Sequence, residues 1–147
     1  MRFQEIVSMV SDKLKLFDFE GQKLNVNFIE SMEVTTGVTC DVYEFEGDKS
    51  KDLGIVEVQP GCKTPLQRIL DGEKTIEGYV SGKGTLTITK PTGKRETYTV
   101  GNSKAPFYKT VTIGELMQWQ SSPDSKLIFY EICYPPYKDG RFQNLPE

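Results

Sequence analysis

The sequence predicts an all-β protein, mainly short strands that close into a barrel or sandwich, and two features carry that prediction. From residue 24 onward apolar side chains recur at every second position, which is the period of a strand with one buried face. Turn signals such as the Pro60-Gly61 pair separate these stretches about every 8 to 12 residues. Roughly eight or nine strands of this kind, without alternating helical segments, favour a sandwich or barrel over a parallel α/β sheet.

The strands follow one another along the chain with this period. The alternation continues through paired segments on either side of a Pro-Thr-Gly turn at residues 91–93, which predicts a hairpin. The predicted strand segments are LNVNF (24–28), TCDVYEFEG (39–47), GIVEVQPG (54–61), TLTITKPTGKRETYTV (85–100), TVTIGELMQW (110–119) and KLIFYEICY (126–134).

The two ends of the chain differ from this pattern. Apolar residues at helical spacing between residues 3 and 17 predict a short amphipathic N-terminal helix, within residues 1–20, that packs on the barrel or on a partner. They are Phe3, Ile6, Val7, Val10, Leu14 and Phe17. Residues 137–147 read as an irregular tail. A length of 147 residues predicts a single domain, with the barrel at about 24–136.

Charge and cysteine usage exclude several classes of function. The net charge is −3 and the basic residues are scattered, which argues against nucleic-acid binding. No apolar run approaches the ~20 residues of a membrane span, and the N-terminus lacks a signal-peptide core. Three widely spaced cysteines indicate free thiols in a reducing compartment. We therefore expect a cytoplasmic protein.

Two stretches resemble the conserved motifs of the cupin superfamily. VEVQPGCKTPLQRILDGEKTIEGYVSGKGTLTI, residues 56–88, is similar to the first motif, which runs from a Pro-Gly turn through His-x-His and a Glu to a Gly. GELMQWQSSPDSKLIFYEICYPP, residues 114–136, resembles the second, where a single histidine precedes a last strand ending in Pro-Pro. The resemblance implies a small double-stranded β-helix, one of the jelly-roll barrels, and a homodimer.

The resemblance also implies positions for metal ligands, and this chain, which contains no histidine, does not fill them. The two histidines of the first motif fall on Gln67 and Ile69, and the histidine of the second falls on Met117. The glutamate falls on Glu73 or Lys74 when counted forward, or on Thr75 when counted back from Gly82. Such a set lacks the imidazole, thiolate and carboxylate ligands that divalent ions need, so we predict no metal and no cofactor.

The same positions define a candidate site inside the barrel. If Gln67 and Ile69 point inward, the period of two and the register counted back from Gly82 send a second set of side chains inward as well. Predicted ligand-binding residues are Gln67, Ile69, Thr75, Met117 and Trp119, and predicted catalytic residues are Glu77 and Tyr79. An ordinary reading remains open, in which Gln67 is a hydrogen-bonded polar residue and Ile69 and Met117 are core.

These residues support two classes of function. The first is a metal-free barrel that binds a small polar organic molecule, such as a sugar, in its interior. The second is a metal-independent isomerase, epimerase or lyase, in which burial raises the pKa of Glu77 so that it acts as base while Tyr79 acts as acid. A degenerate barrel that serves only in dimerisation is a third reading.

Overall fold

The computed structural model describes residues 13–103, 105–136 and 142–146, and within those ranges the chain forms twelve β-strands and no helix. None of the described segments is therefore a helix long and apolar enough to cross a membrane. The strands are β1 (Leu16–Phe19), β2 (Gln22–Thr35), β3 (Val38–Phe45), β4 (Asp48–Val58), β5 (Leu66–Ile69), β6 (Lys74–Gly82), β7 (Gly84–Thr89), β8 (Arg95–Val100), β9 (Tyr108–Thr112), β10 (Leu116–Ser121), β11 (Leu127–Tyr134) and β12 (Phe142–Leu145).

The strands form two antiparallel sheets. One has seven strands in the order β1-β2-β3-β4-β11-β6-β9, and the other has five in the order β12-β5-β10-β7-β8. Neighbouring strands are mostly distant in the sequence, since β11 inserts between β4 and β6 and β10 inserts between β5 and β7. This arrangement is a jelly-roll barrel, which confirms the predicted all-β class.

The main core lies between the two sheets. Each strand sends alternate side chains inward, as the period of two requires. Trp119 of β10 and Phe129 of β11 meet across this core as stacked rings, with centroids 4.5 Å apart and planes 10° apart. The buried members are Val38, Val56, Val58, Ile69, Leu86, Ile88, Val100, Val111, Met117, Trp119, Leu127 and Phe129.

A second core covers the outer face of the seven-stranded sheet. The β1–β2 hairpin curls over that face and places Phe17 and Phe19 against Tyr130 of β11, with ring centroids 5.0 Å and 6.3 Å apart. Phe19 also reaches Tyr108 of β9, at 5.4 Å. The hairpin therefore shields apolar residues that alternate with those of the main core, among them Ile76 and Ile132.

Both predicted termini need correction. The helix predicted over residues 3–17 falls largely on residues 1–12, which lie outside the described ranges. Its described end is strand: Leu16 pairs with Asn25 in the β1–β2 ladder, and Phe17 is buried in the second core. The predicted irregular tail contains β12, where Leu145 pairs with Leu66 of β5. Pairing with the open edge of β5 produces a strand that the polar tail sequence did not indicate.

Candidate ligand-binding site

A cavity of about 630 Å³ opens into the barrel and takes its walls from both sheets. Its apolar wall includes Val56 and Phe129 of the seven-stranded sheet and Phe142 of β12. Polar groups converge on the same space from Thr64, Gln67, Glu131 and Asn144. A cavity of this size that combines apolar walls with converging polar groups is typical of small-molecule sites.

Gln67 stands at the junction of two strands in the cavity wall. It pairs with Asn144 in the β5–β12 ladder, and its Nε2 donates a hydrogen bond to Asn144 Oδ1 over 3.1 Å. Both residues line the cavity. The C-terminal strand therefore orients the amide of Gln67, a contact that the sequence motif did not reveal.

Ile69 and Met117 lie deeper, in the main core. Ile69 is fully buried and Met117 almost so, and neither residue lines the cavity. Met117 lies beside Gln67 in the β5–β10 ladder, so the strand period is as predicted, but its thioether packs among apolar side chains. Both residues match the ordinary reading of the sequence, in which they are core.

Glu77 is a fully buried carboxyl group on the inner face of β6. Its Oε1 accepts a hydrogen bond from Trp119 Nε1 over 3.0 Å, whereas Oε2 has no hydrogen-bond partner among the described residues. Thr75 Oγ1, two residues earlier on the same face, is likewise buried without a partner. Burial, and then the nearby charge of Glu131, raise the pKa of Glu77 well above its ordinary value.

Tyr79 also lies on the inner side, packed against the main core. Its hydroxyl donates a hydrogen bond to the backbone carbonyl of Gly82 over 2.8 Å. This hydrogen bond thus holds the end of β6 in place. Neither Tyr79 nor Glu77 lines the cavity, so the structure brings both residues inside the barrel without bringing either to the cavity surface.

Glu131 is the acidic residue of the inner wall that sequence reasoning missed. It sits in the middle of β11, with Gly54 of β4 on one side and Glu77 of β6 on the other. Its Oε1 accepts a hydrogen bond from Cys133 Sγ over 3.3 Å, and its side chain lines the cavity. The available signal was a single carboxylate in the apolar run LIFYEICY, two residues from the inward-facing Phe129.

Cys40 shares this part of the wall. Burial, followed by the charge of Glu131, raises the pKa of the Cys40 thiol to about 12. An ideal Cβ on Gly54 would lie 3.1 Å from Cys40 Sγ, so the glycine makes room for the thiol beside Glu131. The floor of the cavity therefore combines a carboxylate with two free thiols, those of Cys40 and Cys133.

The residues at the expected metal-ligand positions do not fit a divalent ion. An aliphatic side chain at Ile69 has no donor atom, and the thioether of Met117 is a poor ligand for hard or borderline cations. The amide of Gln67 is engaged with Asn144. Across residues 13–103, 105–136 and 142–146, no three His, Cys, Asp or Glu side chains are grouped so that they could hold a metal.

Comparison with known proteins agrees with the architecture. No protein-family model and no curated protein sequence matches the chain. Among solved structures, oxalate decarboxylase from Bacillus subtilis at pH 4.6 superimposes with a TM-score of 0.65 at 21% identity, over 80% of this chain and 30% of that chain. A structure from work on the Mn(II) centres of the same enzyme gives 0.58 at 22% identity, over 72% and 28%.

These neighbours define the fold. The chain has the cupin fold, as a single small barrel, and it spans about 30% of the length of the oxalate decarboxylase chain that it matches. At this level of identity the likeness concerns the fold. The chemistry of the cavity has to be argued from this chain's own residues.

Proposed function

We propose that this protein is a metal-free cupin barrel that binds a small polar organic molecule, such as a sugar, in the cavity between its sheets. The observation that carries the proposal is the mixed wall of the cavity of about 630 Å³, in which apolar side chains surround the polar groups of Gln67, Asn144 and Glu131. The cupin fold supports an interior site, since its two sheets leave space between them at the barrel mouth.

Independence from metal is supported by donor chemistry. The neighbouring oxalate decarboxylase is described with Mn(II) centres, whereas here Ile69 and Met117 stand where the resemblance puts imidazoles. We propose that binding proceeds by shape and hydrogen bonding. Elemental analysis of protein purified without chelators tests this directly: we expect substoichiometric transition metal, and one bound manganese, iron, zinc or nickel per chain would contradict the proposal.

Ligand binding is tested by thermal-shift screening of sugars, sugar phosphates, amines and small organic acids. A ligand at about 100 times its dissociation constant adds about 2.7 kcal/mol to the free energy of unfolding. Hits are then titrated by calorimetry against wild type and Gln67→Ala, which removes a polar group of the cavity wall. Failure of every compound to bind, or binding that Gln67→Ala leaves unchanged while a distant substitution weakens it, would argue against this site.

A matched control is available on the far side of the five-stranded sheet. Thr87 and Thr97 form a cross-strand polar pair between β7 and β8, with hydroxyl oxygens 3.2 Å apart, and neither lines the cavity. Thr87→Ala therefore removes one member of a cross-strand hydrogen bond, as Gln67→Ala does, without touching the cavity. We expect ligand affinity to fall in Gln67→Ala and to stay the same in Thr87→Ala.

The alternative function is a metal-independent isomerase, epimerase or lyase that uses Glu77 and Tyr79. The raised pKa of Glu77 supports it, because a carboxylate with a raised pKa is a stronger base in proton transfer. The engagement of the Tyr79 hydroxyl with Gly82 weighs against it. Incubating each ligand in deuterated buffer and following its C–H signals by NMR decides between the two, since turnover requires exchange or conversion that Glu77→Gln abolishes.

We further propose that the protein is a cytoplasmic homodimer. Exposed apolar residues on β2, namely Ile29, Met32 and Val34, also line the cavity, and they offer a surface for a second copy there. The three cysteines are free, which suits a reducing compartment. Light scattering of wild type and Ile29→Glu tests the first point, and a monomer at all concentrations in wild type would contradict it. Thiol counting in protein isolated under alkylating conditions tests the second.

A further inference from the structure

The wall of the cavity is strongly acidic, and this bears on which polar molecule it takes. Two lysines line it, against six carboxylates. The carboxylates belong to Glu30, Glu33, Glu44, Asp48, Asp52 and Glu131. A cavity wall with this imbalance attracts cations and repels carboxylates and phosphates.

The two lysines do not neutralise the floor of the cavity. Lys49 Nζ lies 3.4 Å from Glu44, and Lys51 Nζ lies 3.8 Å from Asp48, so each ammonium is already placed beside a carboxylate of the rim. Within the described residues, no lysine or arginine forms an ion pair with Glu131. Among the described residues, Glu131 therefore lines the cavity without an ion-pair partner.

A second observation comes from behind Glu131. Glu77 stands directly across from Glu131 in the β6–β11 ladder, fully buried, with Oε2 lacking a hydrogen-bond partner in the described part of the chain. Two acidic groups placed side by side disfavour each other's charge, and one positive group beside them relieves that repulsion. Among the described residues, no lysine or arginine forms an ion pair with either member of this pair.

We propose that the ligand of this cavity is a small organic cation, whose protonated amine pairs with Glu131 and whose hydrocarbon part packs against Val56 and Phe129. The inference rests on the proposed function, because it assigns the chemical class of the molecule bound in the same cavity. Anionic sugar phosphates and small organic acids are then poor ligands. Among amines, the ones favoured carry an apolar body that fills the space below the acidic rim.

The test compares three probes of nearly equal size and different charge: phenethylammonium, 2-phenylethanol and 3-phenylpropionate. Each is titrated into the full-length protein at pH 7 by calorimetry and by NMR. We expect the ammonium to bind at least about 10-fold more tightly than the alcohol, and the carboxylate to bind more weakly than either. Equal or tighter binding of the alcohol or the carboxylate would overturn the inference, and this comparison needs no variant.

Two variants test whether the carboxylate of Glu131 is the group that binds the ammonium. Glu131→Gln is expected to weaken ammonium binding at least about 10-fold and to leave 2-phenylethanol unchanged. Glu46→Gln, which removes an exposed carboxylate outside the cavity, is the matched control and is expected to change neither. Equal loss of ammonium binding in both variants would mean that net charge alone is responsible. Stoichiometric displacement of the ammonium by Mn²⁺ or Ca²⁺ would overturn the assignment to an organic cation.

The outcomes separate this inference from the function on which it rests. Should sugars or organic acids bind in the cavity while the ammonium does not, the organic-cation inference fails and the binding function stands. Should no compound of any charge bind, both fail together. Binding of the ammonium that is lost in Glu131→Gln and kept in Glu46→Gln supports both.

Discussion

Trp119 of the five-stranded sheet donates its indole N–H to Glu77 of the seven-stranded sheet, over 3.0 Å in the middle of the core. This bond connects the two halves of the barrel through a pair of polar atoms that no solvent reaches, since both residues are essentially buried. A buried donor left without an acceptor is costly, so the two residues depend on each other.

Trp119→Phe is expected to lower the free energy of unfolding by about 1–3 kcal/mol for the acceptor that it leaves unpaired, in addition to the cost of the lost volume. Urea unfolding measures the change. In the double variant Trp119→Phe/Glu77→Leu the loss should be smaller than the sum of the two single losses, because the orphaned carboxyl is gone. Strict additivity would show that the bond contributes nothing.

Stability should fall as pH rises above about 4.5 because of Glu77. Its folded-state pKa is raised by burial and by Glu131, so the folded protein holds a proton that the unfolded chain releases above its ordinary value near 4.5. The contribution is fully present below that value and is lost as pH rises toward the folded pKa, with a slope of at most about 1.4 kcal/mol per pH unit.

Glu77→Gln should flatten this decline, because the amide does not titrate. Urea unfolding from pH 5 to pH 8 on wild type, Glu77→Gln and the exposed-site control Glu46→Gln measures it. We expect wild type and Glu46→Gln to lose stability in parallel while Glu77→Gln stays level. A decline in Glu77→Gln as steep as in wild type would assign the pH dependence to another group.

Glu115 should stabilise the fold more than an exposed ion pair does. Its Oε2 lies 2.6 Å from Lys90 Nζ, and its Oε1 accepts hydrogen bonds from the backbone N–H of Thr112 over 2.7 Å and from its hydroxyl over 3.0 Å. Burial alone would raise the pKa of Glu115, but the contacts with Lys90 and Thr112 outweigh it and hold the pKa below its usual value. This stabilisation is therefore lost as pH falls through the lowered pKa, below about 4.5.

Glu115→Gln is expected to cost about 1–2 kcal/mol at pH 7, and the loss should shrink on acidification. Glu57→Gln is the matched control, since Glu57 pairs with Lys126 over 2.9 Å at a more exposed position, where about 0–1 kcal/mol is expected. Urea unfolding at pH 7 and pH 3.5 provides the comparison. Equal costs at the two sites would contradict the role of burial.

Gly78 should not tolerate a side chain. An ideal Cβ at this position would overlap the ring of Tyr130, which lies on the outer face of β6. Gly78→Ala is expected to destabilise by about 1–3 kcal/mol through overpacking, and less when combined with Tyr130→Ala. Gly54→Ala, whose Cβ would meet only the tip of Cys40 at 3.1 Å, is the control and should cost less. Thermal unfolding of wild type, Gly78→Ala, Tyr130→Ala, the double variant and Gly54→Ala measures these costs.

Cys40 should be nearly inert to alkylating reagents. A pKa of about 12, against an ordinary value of 9.0, lowers its thiolate fraction at pH 8 by about 1,000-fold, and the thiolate is the reactive form. Peptide mass spectrometry after iodoacetamide treatment, folded and in urea, gives the ratio of rates. Removing the neighbouring charge with Glu131→Gln should speed the folded-state reaction, and unchanged reactivity in that variant would separate Cys40 from Glu131.

The residues on the inner face of β6 could be predicted from the sequence because Gly82, at the end of the strand, fixes its register. Counting back from Gly82 places Thr75, Glu77 and Tyr79 on one face, and all three lie inside the barrel. The partners of these residues could not be read in the same way. The bond from Trp119 to Glu77 joins positions 42 residues apart, and cross-sheet pairing is set by tertiary packing rather than by local pattern.

Glu131 and β12 show why other parts of the site and fold were not predicted from the sequence. In LIFYEICY both faces of β11 are buried, since Ile132 faces the second core and Phe129 the first, so the alternation that marks a half-buried strand disappears. β12 has no apolar alternation of its own and exists because β5 offers it an edge. Within the described residues, the helix prediction was wrong at Leu16–Phe19, because a strand that buries only Phe17 has no period of its own to distinguish it from a helix.

The insertion of β11 between β4 and β6 has a consequence for how the barrel is made. The pairing of β11 with β4 joins residues that are far apart in the sequence, such as Leu127 and Val58. The cavity wall at Gln67 is completed only by Asn144, 77 positions later. The chain must therefore lose most of its loop-closure entropy before the barrel interior is protected from water. Folding in milliseconds to seconds is expected for such non-local topology, and during synthesis the pocket first exists only after Asn144 has left the ribosome.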